Sequence, residues 1–245
     1  MNGIFITGTD TGVGKTLITT LIAIGLTEIG YRVTVRKPIE TGCKLEGVLL
    51  SPEGRTLYLK YIPSMKNENI DDITPIRFKE PLCPLVASRI ENKNILWDEL
   101  ITSLKTNDNS KVLLIEGAGG VMVPITTDKF VYDIITELQL PVIVVCENRL
   151  GAINHTLLTL DFLKARKISV IGIIINHTST ADTLALRTNP EIIAELSLGA
   201  PIIGTVPFIS DISSESLKKI SKKYINYDII YGYLQNDNND KIKEG

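Results

Sequence analysis

Residues 3–16 read Gly3-Ile4-Phe5-Ile6-Thr7-Gly8-Thr9-Asp10-Thr11-Gly12-Val13-Gly14-Lys15-Thr16. The apolar residues that open this stretch predict a buried β-strand, and the residues after Thr16 have the apolar spacing of a helix. Glycines between a strand and a helix let backbone N–H groups turn towards phosphate oxygens, and the helix N-terminus adds partial positive charge. The stretch therefore predicts a phosphate-binding loop in an α/β fold.

The loop also predicts how a nucleotide is held. In this setting Lys15 would reach the β- and γ-phosphates, and the Thr16 hydroxyl would ligate Mg²⁺. The strict spacing of such loops puts glycine at position 9, where this chain has threonine, and Gly8 stands one residue earlier. The loop residues that we predict to contact the nucleotide are Thr11, Gly12, Val13, Gly14, Lys15 and Thr16.

Short β-branched apolar runs recur along the chain and alternate with segments of helical period, which is typical of successive βαβ units. Runs such as 112–115 and 142–145 are continuously apolar, as strands covered on both faces require. We predict an α/β fold with a doubly wound, mostly parallel sheet and helices on both faces, of the P-loop NTPase type. The predicted strands are 3–7, 32–36, 112–116, 141–146, 170–176 and 201–206, and the predicted helices are 15–29, 96–104, 131–138, 152–166 and 190–196.

Composition limits the architecture and the class of partner. Of the 245 residues, 44% are hydrophobic and 22% are charged, which is typical of a globular protein. The net charge of −2 supplies no positive field for sequence-independent binding of nucleic acid. We predict one domain over 1–233, in which 40–94 form loops and short helices over one edge of the sheet, and a polar, flexible C-terminal tail over 234–245.

Cysteine usage and hydropathy indicate the compartment. Cys43, Cys83 and Cys146 form no C-x-x-C pair, so neither a disulfide framework nor a zinc site is indicated. The N-terminus lacks the basic and apolar regions of a secretion signal. No apolar run approaches the roughly 18 residues that a membrane-spanning helix needs. We predict a cytoplasmic chain with no membrane partner.

Two more candidate residues follow predicted strands. Doubly wound sheets bind their ligands at the carboxyl ends of the strands. Glu116 is predicted to end a buried strand there, where its carboxylate could share the magnesium with Thr16. Lys37 ends another predicted strand at the same edge, beside the phosphate loop. Both side chains are therefore predicted to face a bound nucleotide.

The motifs together resemble those of the dethiobiotin synthase family, whose members close a ureido ring on 7,8-diaminononanoate with CO₂ and ATP. The resemblance runs in the family's order over roughly residues 3–210. The segments that carry it are Gly8-Thr9-Asp10-Thr11-Gly12-Val13-Gly14-Lys15-Thr16, Lys37-Pro38 with Thr41-Gly42, Glu116-Gly117-Ala118-Gly119-Gly120, Leu140-Pro141-Val142-Ile143, Leu150-Gly151-Ala152-Ile153-Asn154-His155, and Asn176.

The resemblance implies a role for each matching residue. Lys15 and Lys37 would be catalytic, with Lys37 at the carbamate, and Thr16 and Glu116 would hold Mg²⁺. Asn176 would read the adenine edge of ATP. The other residues implied at the nucleotide are Gly117, Ala118, Gly119, His177 and Pro207. The diamine would contact Thr41 and, from the partner subunit of a homodimer, a helix N-terminus formed by Leu150, Gly151, Ala152, Ile153 and Asn154.

Two positions depart from the family pattern. Members usually supply an aspartate to the metal from the loop after Thr41, but this chain has no aspartate between Thr41 and Tyr61. Arg55 aligns there, so either Glu53 or water completes the magnesium shell, or metal binding is weaker. Leu85 stands where the family often has a histidine, and we expect it to pack.

Two other classes of protein share the phosphate loop. Partitioning ATPases of the ParA/MinD type carry a signature lysine at the position of Asp10, and many bind membranes through a basic amphipathic helix. The apolar stripe Leu217, Ile220 and Tyr224 fits such a helix superficially, but we predict a docked surface helix. Amidoligases of the cobyrinate or CTP-synthase kind carry a glutaminase domain, for which 245 residues leave no room. His155 and His177 are too isolated to indicate a metal site.

Overall fold

The structure, a computed structural model, describes residues 2–46, 49–106, 108 and 111–243, and for residues 49, 53, 55 and 236–243 it describes the backbone alone. The strands are β1 (Gly3–Gly8), β2 (Arg32–Arg36), β3 (Ile39–Glu40), β4 (Lys44–Glu46), β5 (Leu49–Ser51), β6 (Ile76–Arg77), β7 (Lys111–Gly120), β8 (Val142–Glu147), β9 (Val170–Asn176) and β10 (Ile202–Val206). The helices are α1 (Lys15–Glu28), α2 (Glu53–Tyr61), α3 (Ile70–Ile73), α4 (Pro84–Ile90), α5 (Trp97–Leu104), α6 (Val131–Leu138), α7 (Ala152–Ala165), α8 (Leu184–Leu196), α9 (Ser214–Tyr224) and α10 (Tyr227–Lys243), with a 3₁₀ turn at Pro63–Met65.

The central sheet has six strands in the order β10-β9-β8-β1-β7-β2, and every neighbouring pair is parallel. Side chains of β1 alternate between the two faces: Ile4 and Ile6 pack with one core cluster and Phe5 with the other. The predicted doubly wound, parallel α/β fold is confirmed. Strand β1 lies between β7 and β8 in the sheet. Because the three strands are parallel, the loops that follow them lie at the same edge, where ligands of such sheets bind.

Strand β7 is longer than predicted. We expected it to end at Glu116, but it continues through the glycines to Gly120. The register with β1 shifts on the way, since Ile6 lies opposite Glu116 whereas Gly8 lies opposite Gly120. Glu116 is therefore not a solvated strand end but a buried residue, 1% exposed, within the sheet.

Helix α8 begins six residues before the predicted start. We expected Pro190 to open the helix, but Pro190 lies inside it, and Thr183 caps the N-terminus by accepting a hydrogen bond from the N–H of Leu186. A proline at position 190 cannot donate to the carbonyl four residues earlier. That carbonyl, of Leu186, instead accepts a hydrogen bond from the Asn148 side chain at 2.8 Å. The buried acceptor is thus satisfied and the proline is tolerated.

The segment 40–94 forms short helices, as predicted, but also strands that the sequence did not reveal. Strands β3 and β6 pair in parallel, and β4 and β5 pair antiparallel. At the other end of the chain, α10 runs across the predicted boundary at 234, where Leu234 is buried. The division into a domain and a tail stays a prediction.

Helix α9 carries the apolar stripe that we predicted to dock. Leu217 and Ser221 are buried, and the Ser221 hydroxyl donates to the backbone carbonyl of Leu21 on α1. In the described parts of the chain, none of the helices is both long enough and apolar enough to cross a membrane.

Replacing Gly25 with alanine is expected to destabilise the protein, although alanine normally favours a helix interior. An alanine Cβ at this position of α1 would lie 2.0 Å from Cζ of Tyr227. The Tyr227 ring is fixed because its hydroxyl bonds to the Leu21 carbonyl at 2.9 Å. We expect a loss of about 1–3 kcal/mol in the free energy of unfolding, measured by urea titration.

The matched control is Gly232→Ala in α10, where a Cβ would meet no atom of the described residues within 4 Å. This change should stabilise by about 0.5–1 kcal/mol, because alanine loses less conformational entropy than glycine. Equal effects of the two changes would contradict the packing of α10 on α1.

Candidate active site

The loop between β1 and α1 has the backbone of a phosphate-binding loop. Gly12 and Gly14 have φ of 80° and 89°, a left-handed conformation that glycine adopts without strain. Gly14 precedes the first residue of α1, and a Cβ there would lie 2.2 Å from Nδ2 of Asn176. Asn176 also donates to the Val13 carbonyl at 2.9 Å. The end of β9 therefore fixes the loop, and glycine is required where the two meet.

A buried charged cluster lies beside the loop. The Thr16 hydroxyl donates to Oε1 of Glu116 at 2.7 Å, and Lys37 Nζ lies 3.2 Å from the same oxygen. Lys37 Nζ is also 3.3 Å from Oε2 of Glu40. The Lys15 ammonium donates to the Asp10 carbonyl at 3.0 Å. Two lysines and two carboxylates thus share one site, and their formal charges cancel.

The pKa values of the two lysines are shifted in opposite directions from the usual value of a lysine. Burial lowers the pKa of Lys15 to about 8, although Glu116 acts to raise it. Burial also lowers the pKa of Lys37, but Glu116 and Glu40 outweigh it and hold that pKa above its usual value. Lys37 is therefore a permanent cation at neutral pH, whereas the charge on Lys15 is stabilised most when anionic phosphates are beside it.

A tyrosine that the sequence analysis did not single out completes the surroundings of Glu116. Tyr58, on α2, is fully buried, and its hydroxyl donates to Oε2 of Glu116. Burial and the nearby Glu116 carboxylate raise the pKa of Tyr58 well above its usual value, so the hydroxyl keeps its proton. Both oxygens of Glu116 accordingly accept hydrogen bonds.

These groups open into a cavity of about 670 Å³. The cavity brings together most of the residues predicted from the sequence. Those that line it are Thr11, Gly12, Gly14, Lys15, Thr16, Lys37, Thr41, Glu116, Gly117, Ala118 and Gly119. Val13 is buried behind the loop, where its carbonyl accepts from Asn176.

The residues predicted at the adenine do not line the main cavity. His177 and Pro207 line a second cavity, of about 550 Å³, and the N–H of His177 donates to the Val206 carbonyl. Oδ1 of Asn176 is buried and has no hydrogen-bond partner among the described residues. An unpaired buried acceptor costs free energy, so Oδ1 fits a donor supplied by a ligand.

The predicted diamine residues from the partner do not line the main cavity of their own chain. Gly151 has φ of 91° and precedes α7, which begins at Ala152. Leu150, which lies before the helix, is 84% exposed, and Leu158, within α7, is 63% exposed. Ile153 is partly buried and Asn154 is exposed. Two large apolar side chains, one just before α7 and one within it, are therefore exposed.

Sequence reasoning missed two residues of this charged cluster and its surroundings: Tyr58, which donates to Glu116, and Glu40, which pairs with Lys37. Glu40 stands directly before Thr41, so its place in a matched motif could have signalled it. The side chains of Glu53 and Arg55 lie outside the described residues, and the hypothesis that Glu53 substitutes for the family aspartate concerns them. Leu85 donates its N–H to the Pro124 carbonyl at the start of α4.

Thiol labelling is expected to modify Cys83 alone in the folded protein. Burial raises the pKa of both Cys43 and Cys146 to about 11, so at about pH 8 only ~0.1% of each is thiolate. Cys83 is partly exposed and lines the main cavity. A disulfide reagent should titrate one thiol per native chain and three after denaturation, and the reaction should slow when nucleotide is present. Native labelling that persists in a Cys83→Ser variant would contradict this.

The chain is similar to known proteins over nearly its whole length. A family described as an AAA domain matches residues 2–216. A relative from Thermodesulfovibrio yellowstonii, named ATP-dependent dethiobiotin synthetase BioD, is 41% identical over 237 aligned residues, covering 93% of this chain and 96% of the relative. A protein of the same name from Bacillus subtilis (strain 168) is 37% identical over 231 residues, covering 94% and 97%.

Solved structures with a similar fold are more distant in sequence. The septum site-determining protein MinD from Pyrococcus horikoshii OT3, complexed with Mg-ADP, aligns with a TM-score of 0.54 and 15% identity over 95% of this chain and 98% of its own. A ParA family ATPase from Chlorobium tepidum TLS aligns with a TM-score of 0.51 and 17% identity, covering 95% and 97%. At such identities the likeness concerns the fold alone.

Proposed function

Since the chain belongs to the ATP-dependent dethiobiotin synthetase family, we propose that it closes a ureido ring on 7,8-diaminononanoate, using CO₂ and ATP, to give dethiobiotin. The observation that carries the proposal is the buried cluster of Lys15, Lys37, Glu40 and Glu116 next to the phosphate loop. Two anionic groups must meet in this reaction, and the cluster supplies the cations that would bring them together.

The first step joins an amine of the substrate to CO₂. The amine must be neutral to attack, and with a lysine-like pKa near 10.4 only about one part in a thousand is neutral at pH 7. A neighbouring cation lowers the pKa of an amine. Lys37, held charged by its two carboxylates, would favour the neutral amine and then pair with the carbamate anion that forms when the N–C bond is made and a proton is lost.

The second step transfers a phosphoryl group between two anions. A carbamate oxygen attacks the γ-phosphorus, the bond to the β-bridging oxygen breaks, and ADP leaves. Two like charges at 4 Å repel by about 4 kcal/mol at an effective dielectric constant of 20. Lys15 and Lys37 would offset this repulsion, so they act through charge and position, as in phosphoryl transfer generally.

The third step closes the ring. The second amine, in its neutral form, attacks the carbonyl carbon of the carbamic phosphate and gives up one proton to the solvent, and phosphate leaves with the oxygen that bridged carbon and phosphorus. Thr41 lines the cavity beside Lys37, where it would contact the diamine. No further cation is needed to stabilise the charge on the leaving phosphate, because this phosphate would already lie beside Lys15 and Lys37.

Magnesium would be held by Thr16 and Glu116. Oγ1 of Thr16 and Oε1 of Glu116 lie 2.7 Å apart, and both are oxygen donors of the type that Mg²⁺ prefers. No group of three His, Cys, Asp or Glu that could hold a metal occurs among the described residues. Phosphate oxygens and water would therefore supply the remaining ligands. When bound, the ion would neutralise charge on the β- and γ-phosphates.

The adenine and the diamine carboxylate would bind at the two ends of the site. The unpaired Oδ1 of Asn176 would accept a hydrogen bond from the adenine amino group, between His177 and Pro207.

In a homodimer, residues 150–154 of each subunit would bind the diamine carboxylate in the partner's site. The exposed Leu150 and Leu158 support such an interface, because large apolar side chains favour burial between subunits. A single domain and a cytoplasmic location are part of the same proposal.

The alternative function, a ParA/MinD-like ATPase switch, is favoured by the fold alone. Position 10 argues against it, since the signature lysine of those proteins is here Asp10, whose carboxylate lies 3.5 Å from Arg149. A switch ATPase would hydrolyse ATP without a diamine.

The deciding experiment measures phosphate release from ATP and Mg²⁺ with bicarbonate, in the presence and absence of 7,8-diaminononanoate. The proposed enzyme releases phosphate only with the diamine and forms one dethiobiotin per phosphate, quantified by mass spectrometry. Phosphate release that is indifferent to the diamine would support the switch and overturn the enzyme.

A further inference from the structure

Tyr58 is separated from Glu116 by 58 residues of sequence but contacts it directly. The three donors around the Glu116 carboxylate divide between its oxygens. Thr16 and Lys37 face Oε1, at 2.7 and 3.2 Å, and among the described residues the Tyr58 hydroxyl is the donor to Oε2. Both carboxylate oxygens of Glu116 therefore have partners, and these contacts fix the orientation of the carboxylate plane.

The packing of α2 brings this tyrosine into place. Gly54 lies one helical turn before Tyr58, and a Cβ there would lie 3.3 Å from Cε2 of Tyr58 and 3.4 Å from Cγ2 of Thr16. A glycine inside a helix costs about 0.5–1 kcal/mol relative to alanine. Here the missing side chain lets the Tyr58 ring lie against both its own helix and the phosphate loop.

We propose that Tyr58 is a positioning residue for Glu116: by donating to Oε2, it directs Oε1 at Thr16, so that Glu116 meets the nucleotide-bound metal through Oε1 alone. The inference rests on the proposed magnesium site of Thr16 and Glu116. Partners that orient a metal-ligating carboxylate commonly contribute about 10–100-fold to metal affinity. Without the hydroxyl, Oε2 would be buried with a donor missing, and the carboxylate would rotate to find one.

The chain offers a matched control in the same helix. Tyr61 is also buried on α2, but its hydroxyl donates to the Ile212 carbonyl and does not reach Glu116. Tyr58→Phe and Tyr61→Phe each remove one buried tyrosine hydroxyl. A purely structural role for Tyr58 predicts similar effects of the two changes, whereas a positioning role predicts an effect of Tyr58→Phe on metal-dependent binding only.

The test is calorimetric binding of ADP to the full chain, in excess Mg²⁺ and in EDTA. We expect Tyr58→Phe to reduce the strengthening of ADP binding by Mg²⁺ about 10-fold or more, with ADP affinity in EDTA unchanged. Tyr61→Phe should change neither. If the Tyr58→Phe chain does not fold, 4-methylphenylalanine at position 58 takes its place, because it fills the volume of the hydroxyl and has no O–H to donate.

Three results would overturn the inference: the same Mg²⁺ effect in Tyr58→Phe as in the wild type, an equal loss in Tyr61→Phe, or a wild-type ADP affinity that does not respond to Mg²⁺. The assay contains neither diamine nor bicarbonate. Its outcome is therefore independent of phosphate release with the diamine, and failure of the proposed reaction is recognised separately.

Discussion

Replacing Lys37 with methionine is expected to lower kcat for diamine-dependent phosphate release by about 10²–10³-fold, the usual effect of removing one preorganised group that stabilises transition-state charge. Lys37 lies within 3.4 Å of Thr16 Oγ1 and within 3.2 Å of Glu116, next to where the γ-phosphate would bind. Its cation would offset the repulsion between carbamate and phosphate in the transition state. ADP affinity should change little, because the loop and Lys15 remain. Steady-state kinetics and calorimetry on one preparation separate the two quantities.

Two further variants make the result specific to this site. Lys37→Met leaves Glu40 and Glu116 without their shared cation, which is expected to lower stability. Lys37→Met combined with Glu40→Gln also removes one of the two carboxylates that face the lost ammonium, and should regain stability without regaining activity. Lys111→Met is the control, because Lys111 is a largely buried lysine that is paired with Glu68 and does not line the cavity. Normal turnover by Lys37→Met would show that Lys37 takes no part in the reaction.

Replacing Glu116 with glutamine is expected to lower kcat/KM for ATP by about 100-fold or more, and to raise the Mg²⁺ concentration needed for half-maximal activity. An amide keeps the size of the side chain but loses the negative charge that would hold the metal. It also removes one of the two carboxylates that keep Lys37 protonated. The measurement is phosphate release at increasing Mg²⁺ with the diamine saturating.

Glu68→Gln is the control for this change. Glu68 is a largely buried carboxylate whose partners, Arg36 at 3.3 Å and Lys111 at 3.7 Å, are cations of the sheet outside the cavity. It should lower stability but leave the Mg²⁺ dependence as in the wild type. An unchanged Mg²⁺ dependence in Glu116→Gln would remove Glu116 from the metal site.

The six parallel strands could be predicted because each is a short, β-branched apolar run, and strands β2 and β9 and helix α6 have the predicted bounds. The phosphate loop and the residues at the strand ends could be predicted because one sheet edge collects them. Strand order could not, since any order of parallel strands buries the same side chains.

What the sequence did not reveal depends on contacts between distant residues. The predicted helix started too late, at Pro190, because the sequence does not show that the carbonyl freed by the proline finds another donor. That donor is Asn148, 38 residues before Leu186. Tyr58 reads as an ordinary aromatic residue of a short helix, and only the fold brings its hydroxyl to Glu116. Whether residues 150–154 meet a partner's site depends on a second subunit.

The central claim is that a carbamate oxygen attacks the γ-phosphate between Lys15 and Lys37, and the passage of oxygen from CO₂ to phosphate tests it most directly. The enzyme is mixed with C¹⁸O₂, ATP, Mg²⁺ and the diamine for a single turnover, before the CO₂ exchanges its label with water. The oxygen that bridges carbon and phosphorus leaves with the phosphate, so the account predicts one ¹⁸O atom in each phosphate released. Unlabelled phosphate, formed while the CO₂ still carries its label, would contradict it.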